Sequence, residues 1–477
     1  MMKKIILKVI IVGVSTLLAF SCTKDFTELN TNPNNPDFAP LTNVFAGTIT
    51  NLGASFGTSE IAYPASFVGY ATRSIYNDAT NYGGTPPEVF WSNLMSTFSR
   101  NINVVIVNAE KENNSNTLGA ALVVKAYATQ MLVDTYGPIP YFEADQGSIG
   151  NFKPKYDSEK DIYADLIIQL DRANDLFDNS ASAAKIGVGD ILLANNMDLW
   201  RKFGNSLQLR IAIRISNVDA ATSKTIIKKI LDNPSKYPIL ESNADNISLA
   251  YPGGGDWREP WTSASDYYVD IKIGAPIVDI LKSLSDPRLS QYAVPNADGD
   301  YIGLTVGADG NDTYSKINPQ FVSNETGSVP FLKYSEVEFI KAEAYARDLA
   351  TGNAATAYAN GITASMTEYD IAQSDIDAYL VQANVVWNND LERLYIQKWI
   401  SLFRESWEAW SEMRRTDVPL LNPAVNSNYT GHNRPPFRFS YPDTERSLNG
   451  SNLPATVTET DNFWGYQIWW DTRSNVQ

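Results

Sequence analysis

Histidine is almost missing from this 477-residue chain, where His432 stands alone. That excludes histidine-rich metal sites and the paired histidines of zinc-dependent proteases. Cysteine is equally scarce: Cys22 is the only one, so no internal disulfide can form. Positive charge is in deficit too, with 38 Lys and Arg against 54 Asp and Glu and a net charge of −16. Such a chain repels polyanions, which sets nucleic acid aside as a partner. No phosphate-cradling G-x-x-x-x-G-K-[ST] string occurs, and Gly187-Val188-Gly189 lacks the third glycine of a dinucleotide fingerprint. After the N-terminal run, no segment approaches the roughly 20 apolar residues that a membrane-spanning helix needs.

What is present begins with that N-terminal run. Lys3 and Lys4 precede an apolar stretch from Ile5 to Phe20, interrupted by Lys8 and closed by small residues before Cys22. A charged start, an apolar middle and a small-residue end are the layout of a secretory signal, here residues 1–21. Leu18-Ala19-Phe20-Ser21-Cys22 resembles a bacterial lipobox, whose cysteine is lipidated and becomes the first residue of the mature protein. Thr23 follows rather than aspartate, and Lys24-Asp25 is similar to surface-export signals of some lipoproteins. The expectation is an outer-membrane lipoprotein, anchored through Cys22 and facing the cell surface. Cleavage would remove three lysines and leave the mature chain more acidic still. Residues 22–40, with Asn32-Pro33-Asn34-Asn35-Pro36, then read as a polar tether.

From residue 41 helical periodicity dominates. Leu94, Phe98, Ile102, Val105 and Ala109 mark an amphipathic helix over 93–113. A second spans 118–136 and stops at Gly137-Pro138. Ser158 with Asp161 predicts a capped helix carrying Ile162, Leu166 and Leu170. Residues 195–216 carry Trp200, Phe203, Leu207 and Ile211, with Arg210 and Arg214 one turn apart. The middle differs: 251–270 reads as an ordered loop rich in Gly, Trp, Tyr and Pro, and 292–331 as turns with a hairpin or two. A short helix is expected over 274–285. Helices resume at a Ser335/Glu338 capping box, giving a helix pair of roughly tetratricopeptide size over 337–369. Residues 389–415 predict the longest helix, ended by Val418-Pro419.

Several stretches, in order, resemble the SusD/RagB family of outer-membrane nutrient-binding lipoproteins. Asp134-Thr135-Tyr136-Gly137-Pro138-Ile139-Pro140-Tyr141 is similar to its Tyr-Gly-x-Ile-Pro-Tyr turn, and Trp200 through Arg214 to its arginine-bearing helix. Glu338 to Tyr345 is similar to its tetratricopeptide-like helix, Trp407-Glu408-Ala409-Trp410 to the end of its long helix, and Phe439 to Glu445 to its proline-bearing C-terminal motif. The likeness is strongest to the divergent SusD-like second branch. It implies a mainly α fold, in which tetratricopeptide-like repeats pack against an irregular, loop-rich lobe with a few short strands, as a single domain over 41–477. It also implies a partner, a SusC-like TonB-dependent outer-membrane barrel, and an oligosaccharide ligand, with oligopeptide as the alternative.

Sugar rings stack on flat aromatics while their hydroxyls need polar neighbours, and two loop-like regions offer that mixture. One holds Arg73, Tyr76, Asn77, Tyr82 and Trp91; the other holds Trp257, Arg258, Trp261 and Tyr267. These nine are the candidate ligand-binding residues; Trp399, Phe403, Trp407 and Trp469-Trp470 are assigned to core or barrel contact. Catalytic signals are weak, so the expectation is a protein that is not an enzyme and holds no metal or cofactor. Gly53-Ala54-Ser55-Phe56-Gly57 fits a nucleophile-elbow string but lacks a convincing strand before it. Asn296-Ala297-Asp298-Gly299-Asp300 starts like a calcium loop without its closing glutamate and reads as a turn. A glycoside hydrolase, needing only two carboxylates, stays open as an alternative, as does a purely scaffolding role.

Overall fold

A computed structural model describes residues 39–83, 88–267, 270–454 and 463–477; Cys22, the signal segment and nearly all of the tether lie outside them. Helix α1 (Leu41–Ala54) leads by short turns and a π-helical segment (Ser92–Phe98) to α2 (Ser99–Lys111). The expected 93–113 helix is therefore real but changes winding at Ser99. Next comes α3 (Ser115–Tyr136), the longest helix among the described residues. Asn114 caps it by accepting from Thr117 N at 3.0 Å. Gly137 at φ +83 closes it and donates to Val133 O at 2.8 Å. It is apolar on every side because it is the central pole, packed by α2, α4 (Glu159–Leu176) and α5 (Met197–Arg214). Ser158 caps α4 through Asp161 N, as its spacing predicts. Helix α6 (Ala220–Leu231), capped by Asp219, packs on α5.

The second lobe is irregular. Helix α7 (Pro260–Tyr267) and helix α8 (Ala275–Ser283) sit among three two-stranded antiparallel ladders. These pair β1 (Ala71–Arg73) with β3 (Ile271–Ile273), β2 (Ile247–Ala250) with β6 (Ser328–Leu332), and β4 (Ala293–Val294) with β5 (Lys316–Ile317). Helix α7 corrects the expectation of a loop over 251–270. Proline occupies its first position, and Glu259 Oε2 accepts Thr262 N at 2.9 Å. A proline that needs no donor, preceded by a carboxylate, is a helix start.

Helices α9 (Tyr334–Ala346) and α10 (Ala354–Thr367) form the expected pair, followed by α11 (Gln373–Leu380). The proposed Ser335/Glu338 cap is not used. Helix α9 begins at Tyr334, whose N–H donates instead to Asn246 Oδ1 at 2.7 Å, from just before β2. The expected long helix over 389–415 is two helices, α12 (Leu391–Ser401) and α13 (Ser406–Thr416). Distant side chains hold the break. The Tyr70 hydroxyl donates to Trp399 O, Tyr292 OH to Ile400 O at 3.1 Å, and Lys333 Nζ to Ser401 O at 2.7 Å. On the other side Glu60 Oε1 accepts Ser406 N at 2.8 Å. Unpaired carbonyls ending α12 and an unpaired N–H opening α13 thus find partners that no local pattern supplies.

One apolar core runs from Phe45 to Trp470 and joins both lobes; a satellite cluster lies between α9, α10 and α11. Through the core passes a seam of charge. Arg210 pairs with Glu336 at 2.8 and 2.5 Å, and Arg214 with Glu408 at 2.5 Å and Glu412 at 2.6 Å. Arg415 joins Glu343 and Glu412, and Lys398 reaches Glu412 at 2.8 Å. Burial would raise the Glu412 carboxyl, but Arg415, Lys398 and Arg214 outweigh it and hold it well below its usual range. The motif arginines therefore tie α5 to α9 and α13.

Candidate binding site

Three loops meet beyond β1: residues 73–83, 305–312 and 422–428. Asp270, just before β3, organises the first of them. Its carboxylate accepts Ile75 N at 2.9 Å and the Arg73 guanidinium at 3.4 Å, while its backbone carbonyl accepts Ser74 N at 3.1 Å. Tyr76 then turns into the left-handed region at φ +50 and stands 78% exposed. A bulky residue held there without burial is strained locally, and the anchors on either side pin it. Asn77, half-buried, donates to Gly307 O and to Asp309 Oδ1, both at 3.3 Å. Asn426 donates to the same Gly307 carbonyl at 3.0 Å, and Val425 N reaches Val306 O at 3.0 Å. Gly307, at φ +81, lies where the loops cross: a Cβ there would overlap Asn81 Oδ1 and stand 2.7 Å from the Ala424 Cβ. The result is an exposed tyrosine on a loop cluster that also carries amides and a carboxylate, groups that can stack on a ring and exchange hydrogen bonds with hydroxyls.

Of the nine residues singled out by sequence, the structure brings Arg73, Tyr76 and Asn77 together here. Tyr82, Trp91 and Trp261 are corrected, because all three are buried and present no face to a ligand. Tyr82 accepts Ala424 N at 2.8 Å and packs edge-on to Trp464, so it braces the loops from beneath. Trp91 packs edge-on to Tyr136 at 4.8 Å. Trp261 donates to Glu60 Oε2 at 2.7 Å under the Arg404 guanidinium. Trp257 is 55% exposed in a separate turn after Gly253–Gly255, and Arg258 lies 3.7 Å from Glu325. Tyr267 closes α7, and its side chain is outside the described set. Sequence reasoning missed Asp270, Asp309 and Asn426. Asp309-Gly310-Asn311-Asp312 and Asn426-Ser427-Asn428 are visible polar turn clusters, but nothing local says that they meet Asn77.

Catalytic geometry does not assemble around the elbow string. Helix α1 rather than a strand precedes Ser55, which is buried, and the His432 ring lies flat on Trp464 at 3.8 Å. Asn296 Oδ1 accepts Asp298 N and Asp300 N, making 296–300 a turn. Among the described residues no group of His, Cys, Asp and Glu is arranged to hold a metal, and no helix is long and apolar enough to cross a membrane.

Comparison with known proteins gives consistent relatives. The family described as "SusD-like", "Starch-binding associating with outer membrane", matches residues 33–442. A solved chitin-binding protein is 25% identical, with a TM-score of 0.81 over 91% of this chain and 100% of its own. A SusD homolog from Bacteroides uniformis is also 25% identical, with a TM-score of 0.77 over 90% of this chain and 99% of its own. A chitin-binding SusD homolog from Flavobacterium johnsoniae shares the fold at 21% identity, with a TM-score of 0.78 over 90% and 99% of the two chains. No curated protein matches.

Proposed function

Because the chain belongs to the SusD-like family, we propose that it is a surface lipoprotein that captures an oligosaccharide and passes it to a TonB-dependent outer-membrane barrel. The observation that carries the reading is Tyr76, an exposed aromatic on an anchored loop whose next residue, Asn77, is tied to Gly307 and Asp309, with Asn426 on the same Gly307 carbonyl. Pinning matters, because the backbone that carries the ring is already in place and loses little freedom when a sugar docks. The chitin-binding structures of the same fold support the choice of ligand class. In this reading Cys22 carries the lipid, residues 22–40 form the tether, and 41–477 act as one body over the barrel. The role is binding rather than catalysis.

The test is a titration of the chain from Thr23 onward against starch, chitin and xylan oligosaccharides, with oligopeptides alongside. Losing a central stacking face costs about 2 kcal/mol, so Tyr76→Ala is expected to weaken binding roughly 30-fold with folding intact. Binding of peptides and of no glycan would overturn the ligand. Cys22→Ala is expected to release the protein from the cell surface, read by surface labelling; full retention would overturn the anchor.

A further inference from the structure

A cavity of about 440 Å³ opens between the β2–β6 ladder, the 320–328 loop and the break that separates α12 from α13. It shares no residue with the Tyr76 seam. Glu259 and Arg404 belong to its lining and are both buried; Glu368, Tyr369, Asn324 and Thr326 line it as well. Its size falls within the roughly 300–1,000 Å³ range of small-molecule sites.

The buried pair is built rather than incidental. Arg404 Nη2 donates to Glu259 Oε1 at 2.7 Å, and Glu259 Oε2 accepts Thr262 N at 2.9 Å, so the carboxylate is fixed from two sides. The guanidinium lies 4.2 Å from the centroid of Trp261 and 5.6 Å from that of Phe321. Its Nε, shielded from solvent, has no hydrogen-bond partner among the described residues. Arg404 is 6% exposed, and a buried ion pair adds little stability over apolar packing of the same volume. A buried charge pair that borders a void presents charged donors and acceptors at its edge.

Charge balance decides the class of ligand. Arg404 is offset by Glu259, and Glu368 shares Lys333 with Glu405, each at 3.3 Å, so the lining offers no uncompensated cation to an anion. A neutral molecule with adjacent donors and acceptors matches it: the guanidinium and carboxylate address vicinal hydroxyls, and Asn324 and Thr326 extend the set. The turn that delivers Glu259 also carries the exposed Trp257 indole, fixed where Gly254 N donates to Glu325 Oε2 at 3.2 Å.

We propose that this cavity is a second saccharide site, taking one or two neutral sugar units on the Arg404–Glu259 pair. Its choice of ligand rests on reading the chain as a glycan binder, but its residues are independent of the Tyr76 seam. The test uses the chain from Thr23 onward with maltose, cellobiose, xylobiose and N,N′-diacetylchitobiose up to about 10 mM, followed by tryptophan fluorescence and saturation-transfer NMR. At least one disaccharide is expected to bind, and Tyr76→Ala is expected to leave that binding in place. Asn324→Trp, which fills the mouth from an exposed position, is expected to weaken it at least about tenfold, and Arg404→Lys, checked for folding by thermal melt, likewise. Equal disaccharide binding by wild type and Asn324→Trp would overturn the proposal. So would loss of all disaccharide binding in Tyr76→Ala, absence of any disaccharide binding, or occupation by a zwitterionic dipeptide alone. Long oligosaccharides that ignore Tyr76→Ala while Asn324→Trp loses disaccharides would refute the seam and support the cavity.

Discussion

Glu60 offers a direct test of the buried electrostatics. It is fully buried, accepting Trp261 Nε1 at 2.7 Å and Ser406 N at 2.8 Å. Burial pushes its carboxyl up to about 7, against the opposing pull of Arg404 and the two hydrogen bonds. A raised carboxyl binds its proton more tightly in the folded state than in the unfolded one. Its contribution to stability is therefore fully present below the unfolded value near 4.5 and is lost as pH rises through about 7. Between those limits the folded state holds one proton that the unfolded chain has released, so stability falls by about 1.4 kcal/mol per pH unit, or roughly 3 kcal/mol in all. Glu60→Gln removes the titration, so its urea-unfolding free energy should be flatter than wild type by that amount between pH 5 and 8. The comparison concerns slope, so a lower baseline in the variant does not affect it. Trp261 provides a local readout, since its fluorescence should titrate with a midpoint near pH 7 in wild type and not in Glu60→Gln. Parallel stability profiles, or a Trp261 signal that is flat in both proteins, would refute the reasoning.

Glu412 is shared by Arg214, Arg415 and Lys398; Arg214 keeps Glu408 and Arg415 keeps Glu343, but among the described residues Lys398 has no second carboxylate, so Glu412→Ala leaves the buried Lys398 charge uncompensated and should cost about 3–5 kcal/mol, read as a lower urea midpoint at constant slope. In a Lys398→Met background the same change should cost measurably less. Gly307→Ala combines left-handed backbone with the overlap on Asn81 and Ala424, and should cost about 1–3 kcal/mol and weaken oligosaccharide binding. Gly431→Ala, also left-handed at φ +92 but with nothing within 4 Å of its Cβ, serves as the control and should cost about 1 kcal/mol without touching binding.

Legibility in the sequence followed the range of the interactions. Helices α3 and α4 were readable because their caps are local: Gly137 at one end, Ser158 at the other. The split between α12 and α13 was not, because residues 389–415 carry a continuous helical pattern and the groups that interrupt it come from Glu60, Tyr70, Tyr292 and Lys333. The candidate site divided the same way. Tyr76 and Asn77 lay in a visibly polar, aromatic loop, whereas Asp309 and Asn426 reach it only through the fold. Composition could not separate a Tyr82 that braces from a Tyr76 that faces out; burial does.

The break at residues 402–405 has a consequence for how the chain is made. Its partners are 329 residues away at Tyr70 and 346 at Glu60, so a segment made much earlier finishes this joint. Until then the 389–415 stretch is free to follow its own preference for one straight helix, and the joint closes as a late, long-range step of high contact order. An excised peptide over 389–416 should be continuously helical, and a chain cut off before residue 391 should hold its first lobe loosely. The joint thus couples the completion of the two lobes.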